Sequence, residues 1–449
     1  MAEEVKKPDV NSEDRREFRR RRRQRNQILA YSVLIGIMIL FAGGIVTGIH
    51  LISNRQKERE TSIQMTQAAV EEILQSEEEL EFTEEPESIP EETVVELTYE
   101  QKLDQVVNAA IEVMPIEDKV AGLFCVTPEA ITGVSKVVQA GDATREALSK
   151  YAVGGIVYSA KNVKNHDTFK GMLDNTVLYS KYPVFLAMEE ESGSAAQLVK
   201  LKIGEKTDDA KTIGASGDPA NAYQAGSTIG TYLEELGINL NFAPVADLNS
   251  VDKSVMAARS FGSDAGTVVG YTENMLQGIA DHGLTACVKH FPGMGSVTSD
   301  PAKGVVVSKR TEEEFRANEF VVFQTLVEDR VPMIMVRNMS APGLVGEDDN
   351  TPCSLSAHVV TDILRKEMGY DGVVITDALN EKAISDYYTS DVAAIMALKA
   401  GCDMILAPEN FEQAYNGILK AVEEGTISEA RVDDALRRIY RIKFADRVE

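Results

Sequence analysis

The sequence predicts an α/β chain: a (β/α)8 barrel of the TIM type, preceded by one transmembrane helix and an acidic stalk. Three features of the 449 residues carry that prediction. Eight short apolar runs alternate with helical stretches over the C-terminal three-quarters, a charge-free run fills 28–52, and a glutamate-rich segment lies between them. Apolar residues make up 44% of the chain, enough for a sizeable core, which excludes wholesale disorder. The formal charge of −25 argues against nucleic acid as a partner, since phosphate binding needs a basic surface. Cys125, Cys287, Cys353 and Cys402 form no CxxC pair and sit in or beside apolar runs. They read as core thiols, not a disulfide framework or zinc ribbon.

Residues 1–26 hold eight Arg and two Lys against six acids, a net of +4, and read as a basic cytoplasmic tail. The span assigned to 27–52 contains 25 consecutive residues, Ile28 to Ile52, without Asp, Glu, Lys or Arg. As a helix it would rise about 37 Å, enough to cross a hydrocarbon core with some tilt. It is too long for a signal-peptide core, and no small-residue cleavage site follows it. The Arg cluster before the span leaves the N-terminus cytoplasmic and exports everything after Ile52, so the expected location is the cell membrane with an extracytoplasmic barrel. Residues 53–98 are dominated by Glu, with Pro86 and Pro90 between them, and read as a self-repelling stalk.

The barrel, 99–449, rests on the count of strands. The runs are Gly122–Val126, Gly154–Tyr158, Pro183–Met188, Ile238–Ala243, Leu284–His290, Met333–Arg337, Gly372–Asp377 and Asp403–Ala407. Continuous apolar character is what a parallel sheet covered on both faces requires. Helical patterns at Ala220–Leu236, Gly266–His282, Glu312–Asp329 and Ser356–Met368 separate strands, and Glu409–Val448 offer a closing helix pair. A doubly wound open sheet is the rival, but no GxGxxG follows the first strand.

Active sites of such barrels lie at the C-terminal strand ends. Those ends carry Glu189, Glu190 and Glu191 after strand three, Asp247 after strand four, Lys289 and His290 on strand five, Asn338 after strand six and Asp377 at the end of strand seven. Carboxylates with Lys and His around one mouth suit a polyhydroxylated ligand, which needs many oriented hydrogen bonds and one or two ionisable groups. No HExxH and no Cys/His cluster is present, so neither metal nor other cofactor is implied.

The segments GINLNFAPVADLN (237–249), ARSFGSD (258–264), KHFPGMG (289–295), RKEMGYDGVVITDAL (365–379) and ALKAGCDMILAP (397–408) make the chain recognisable. In this order they resemble the N-terminal barrel of glycoside hydrolase family 3, nearest its β-N-acetylhexosaminidase branch, over roughly residues 101–445. The resemblance implies a retaining glycosidase with an Asp nucleophile at the end of strand seven, and a general acid/base His on an Asp-Ser-His loop after strand five. Position by position, Asp377 falls on the nucleophile, Lys289 and His290 on substrate-hydroxyl contacts, and Arg259 on the sugar-contacting arginine. Asp247 falls within the strand-four motif; Glu189 and Asn338 fall on further substrate-binding positions.

The chain departs from the pattern at the chemistry itself. Met294 replaces the second His of Lys-His-Phe-Pro-Gly-His-Gly, and Asp300-Pro301-Ala302 replaces Asp-Ser-His. Asp300 is then a remnant of the acid/base dyad, with Ala302 where the His should stand. The motif Asp-Gln-Glu-Gly-Gly-Arg reads Glu189-Glu190-Glu191-Ser192-Gly193-Ser194, Ala378 follows the nucleophile, and Asn338 replaces a His. His166, after strand two, is the one histidine on the correct rim that could substitute as acid. Two functions stay open: a membrane-anchored glycosidase acting on N-acetylglucosamine-containing, cell-wall-type glycans, with activity impaired by the missing acid; or a silent glycan-binding or scaffolding relative. The oligomeric state is not legible.

Overall fold

The computed structural model describes residues 97–346 and 349–448. The expected cytoplasmic tail and membrane span, and all but the last two residues of the expected stalk, lie outside the described residues. Among the described residues no helix is long and apolar enough to cross a membrane.

Eight parallel strands run in sequential order around a nearly closed barrel. They are β1 (Phe124–Val126), β2 (Gly155–Tyr158), β3 (Phe185–Met188), β4 (Leu240–Asn241), β5 (Thr285–Phe291), β6 (Met333–Val336), β7 (Val373–Thr376) and β8 (Ile405–Leu406). Each lies inside the apolar run that predicted it, apart from Phe291, which extends β5 by one residue. β1 pairs with β8 through Phe124↔Ile405 and Cys125↔Leu406. β7 meets β8 through a single bridge, Ile375↔Met404, helped by Asp403 N donating to Val374 O at 2.7 Å. That ring removes the free edges an open sheet would leave, and it settles the choice against the doubly wound rival. All four cysteines are buried and form no disulfide, Cys125 on β1 and Cys287 on β5.

The surrounding helices follow the sequence with two informative differences. Ala220–Leu236 ends on Gly237 in the left-handed region (φ 91°), where glycine avoids the Cβ clash. It packs on Ala265–Ala280 through glycines: a Cβ on Gly226 would stand 2.3 Å from Met275 O, and one on Gly278 would stand 2.3 Å from Tyr223 O. The helix expected over Glu312–Asp329 is broken at Asn318 (φ −127°, ψ −83°) into Glu312–Ala317 and Glu319–Glu328. The break turns Glu319 inward to Arg310 at 2.8 Å, behind Gly293. The stretch after β6 is a helix, His358–Glu367, but wound with wider π-type turns; Met368 N donates to Ile363 O, five residues back. Two helices, Phe411–Glu423 and Glu429–Lys443, follow β8. Lys443, in the last turn of the second, reaches Gly154 O at 2.7 Å from below the barrel floor.

Candidate functional site

Three polar clusters stand together at the C-terminal mouth. The first hangs from the loop after β3. Lys289 Nζ, fully buried, lies 2.5 Å from Glu189 Oε1 and 2.6 Å from Glu191 Oε1. Arg259 holds Glu191 with two parallel bonds, Nε to Oε2 at 2.7 Å and Nη2 to Oε1 at 2.5 Å. Burial alone would raise the Glu191 pKa, but Lys289 and then Arg259 drive it far below the usual carboxylate range. The same two carboxylates, Glu189 ahead of Glu191, outweigh the desolvation of Lys289 and hold it cationic. Glu190 faces the other way: its carboxylate accepts from the backbone N–H of Gln197 and Leu198 and from Tyr232 OH, anchoring the loop.

The second cluster ties β5 to the loop after β4. The pairing register of β5 against β6 shifts between Lys289 and Phe291, so strict alternation is interrupted and two consecutive side chains serve the mouth. His290 Nδ1 stands 2.6 Å from Asp247 Oδ2, and Met294 N donates to Asp247 Oδ1 at 2.6 Å. Asp247 is fully buried, so its role is to orient the imidazole and fix the Phe291–Gly295 turn. Met294 keeps that backbone bond although its side chain is apolar and buried. Burial pushes the His290 pKa down despite Asp247, which leaves the ring neutral at pH 7.

The third cluster centres on a residue the sequence analysis passed over. Arg337, directly after β6, is buried and gathers three carboxylates. Its Nη1 binds Asp377 Oδ2 and lies 3.2 Å from Glu381 Oε1; its Nη2 lies 2.8 Å from Asp300 Oδ1. Asp377, just past the end of β7, also accepts from Ala378 N at 2.7 Å. Burial would raise its pKa; the guanidinium outweighs burial and holds it below the usual range, so the carboxylate is ionised. Glu381 is the opposite case. Burial first, and the Asp377 charge second, push its pKa up to about 8. A turn in which Glu381 N donates to Ala378 O folds it back beside Asp377. Asn338 fixes it there, donating from Nδ2 to Glu381 Oε2 at 2.9 Å and to Ala378 O at 2.8 Å, with its own Oδ1 accepting from Ser354 Oγ at 2.6 Å.

Of the residues singled out from the sequence, Asp377, Asp300, Asn338, Glu189, Arg259, Lys289, His290 and Asp247 all belong to these clusters. Asp300 does not stand beside a histidine: its Oδ1 caps the turn Pro301–Lys303 through Ala302 N at 3.0 Å, and Ala302 is exposed. His166 is not brought in. It opens the helix His166–Tyr179, half-exposed, and bonds its neighbour Asp167 at 3.0 Å. Arg337 and Glu381 were missed, yet each left a trace: Arg337 is the lone charge ending an apolar strand, and Glu381 follows Asp377 by four residues.

Residues 100–442 match the model of the glycosyl hydrolase family 3 N-terminal domain. Beta-hexosaminidase A of Pseudoalteromonas piscicida is 29% identical over 326 residues, 66% of this chain and 54% of that protein, so the chain spans about half its length. Beta-hexosaminidase LpqI of Mycobacterium tuberculosis is 30% identical over 317 residues, 68% of this chain and 79% of that protein. A solved family 3 beta-N-acetylglucosaminidase from Paenibacillus sp. FPU-7 superposes with a TM-score of 0.67 at 30% identity, covering 74% of this chain and 62% of that one. Matched from the first described helix to the last, and folded as the same barrel, the chain belongs to glycosyl hydrolase family 3 through that family's N-terminal domain.

Proposed function

We infer that the domain is a retaining glycosidase of the β-N-acetylhexosaminidase type, acting on N-acetylglucosamine-containing glycans. The observation that carries this reading is the Asp377 carboxylate, buried at a barrel mouth and kept ionised by Arg337. An ionised carboxylate in that position can attack an anomeric carbon and form a glycosyl ester that water later cleaves. The relatives named as hexosaminidases support the substrate class. Lys289, Arg259 and Glu189 then exchange some of their mutual ion pairs for sugar hydroxyls, with Asp247 and His290 shaping the same wall. The charge-free run 28–52, with its Arg-rich N-terminal flank, supports membrane anchoring and an extracytoplasmic site.

A second reading, a silent glycan-binding relative, is favoured by one specific arrangement. Arg337 occupies Oδ2 of the very carboxylate that must attack, and Ala302 stands where a general acid is expected. Intact mass separates the two. The full chain is incubated with 2,4-dinitrophenyl β-N-acetylglucosaminide, whose leaving group departs without protonation. The glycosidase reading expects aryl release that is lost in Asp377→Asn, with one added sugar wherever the second step is the slower one. Folded protein giving neither release nor adduct would overturn it in favour of a binding module.

A further inference from the structure

Three carboxylates meet one guanidinium at this mouth, and one of the three has the means to act as an acid. Asp300 lies on the solvent side, its side chain 41% exposed, with one oxygen shared between Arg337 and the Ala302 amide. Asp377 and Glu381 are buried to about the same depth, with side chains 9% and 10% exposed. Both contact the same atom, Arg337 Nη1. Sharing that nitrogen places the two carboxyl groups side by side at the mouth, the pairing of carboxyls from which glycosidases draw a nucleophile and an acid.

We propose that Glu381 is the catalytic proton donor of this site, replacing the histidine that the loop after β5 lacks; the assignment rests on the glycosidase reading above. Buried like charges at this spacing cannot both ionise at ordinary pH, and the environments of Asp377 and Glu381 push their affinities for protons in opposite directions. Oε2 of Glu381 accepts from Asn338 at 2.9 Å, while Oε1 has only the longer 3.2 Å contact with Arg337 Nη1, which leaves Oε1 to carry the proton. Two other buried carboxyls have raised pKa values: Glu190 is tied down by Gln197 N, Leu198 N and Tyr232 OH, and Glu319, at about 7, is sequestered behind Gly293 against Arg310. The Arg337 guanidinium has a second carboxylate to hold, Asp300, when it yields Asp377 Oδ2 to a substrate.

In the first step Asp377 forms a bond to the anomeric carbon as the glycosidic C–O bond breaks. The departing oxygen takes the electron pair and the proton of Glu381. In the second, Glu381, now a carboxylate, removes a proton from water. The water oxygen bonds to the anomeric carbon, Asp377 leaves as carboxylate, and Glu381 is protonated again.

The test compares wild type, Glu381→Gln and Glu381→Asp in the full chain, on the dinitrophenyl glycoside and on 4-methylphenyl β-N-acetylglucosaminide, whose leaving group needs a proton. Glu381→Gln should lose about 10²–10⁴ in rate on the methylphenyl substrate while keeping the first turnover on the dinitrophenyl one. It should then accumulate the Asp377 adduct, release it as a glycosyl azide when azide is added, and lose the basic limb of the pH–rate profile near pH 8. Glu381→Asp should recover part of the methylphenyl rate. If Glu381→Gln fails to fold, the partial rate of Glu381→Asp and the shift of its basic limb carry the test. A Glu381 variant matching active wild type on the methylphenyl substrate, with the basic limb unchanged, overturns the assignment and leaves the glycosidase reading standing. A wild type with neither release nor adduct overturns both.

Discussion

Replacing Arg337 with Met removes the cation while roughly keeping length and apolar bulk. Deleting one member of a buried ion pair typically costs about 3–5 kcal/mol, because the remaining charge is stranded. Here the loss does not triple with the number of partners. Asp300 is 41% exposed and returns to water at little cost. Glu381, with a pKa near 8, is already protonated at neutral pH. The penalty therefore falls on Asp377, which keeps the Ala378 N–H at 2.7 Å but nothing cationic in direct contact. A destabilisation of about 3 kcal/mol at pH 7.5 follows, at the lower end of that range. With a urea slope of about 3 kcal/mol/M, the unfolding midpoint should fall by about 1 M. The pH dependence gives a sharper check. In the wild type the folded Asp377 pKa is depressed, so its stabilisation is present above the unfolded value of about 3.9 and disappears as pH falls through the folded value. In Arg337→Met burial, the largest influence, loses its main opponent, and the Ala378 N–H that remains does not match it; the pKa rises above the unfolded one, so ionisation becomes a cost that shrinks as the carboxyl protonates. The gap between the two proteins must be widest near neutrality and narrow towards pH 4.5. Equal midpoints at pH 7.5, or a gap independent of pH, would refute the carboxylate–guanidinium cluster and with it the physical basis for Glu381.

Two further outcomes are expected. Glu191→Gln should cost about 2–4 kcal/mol in urea unfolding at pH 7, since it strips Lys289 and Arg259 of their buried counter-charge. The folded Glu191 pKa is far depressed, so its contribution is full above about 4.3, shrinks gradually below that, and vanishes only as pH falls through the folded value; the gap between variant and wild type should therefore still be present at pH 3. Gly295→Ala would place a Cβ 1.2 Å from Leu248 O, a clash only backbone movement can relieve. It should destabilise by about 3 kcal/mol and speed amide exchange at Met294, whose N–H is held by Asp247. Unaltered exchange there would show the β5 loop to be looser than the geometry implies.

The amino-acid sequence by itself determined the barrel, because burial on both faces leaves a continuous apolar signature in each strand, and all eight strands lie where those runs stand. It also determined most of the mouth, since strand ends are fixed once strands are located: Lys289, His290, Asp247 and Asp377 follow from position alone. Asn318 escaped notice because a helix break that swings Glu319 inward is decided by Arg310 and the Phe291–Phe320 stack, not by local propensity. Partnership was beyond the sequence for the same reason. Glu189, Glu190 and Glu191 read alike in one dimension. Yet one is half-exposed beside Lys289, one is tied to backbone amides, and one lies buried between Lys289 and Arg259. Only the tertiary structure put Arg337, Asp377, Asp300 and Glu381 on one guanidinium, because side chains from three separate strand ends meet only when the barrel closes. The charge state of each carboxyl follows from that meeting: burial, an adjacent cation and an adjacent anion together decide which one holds a proton, and none of the three is a local property of the chain.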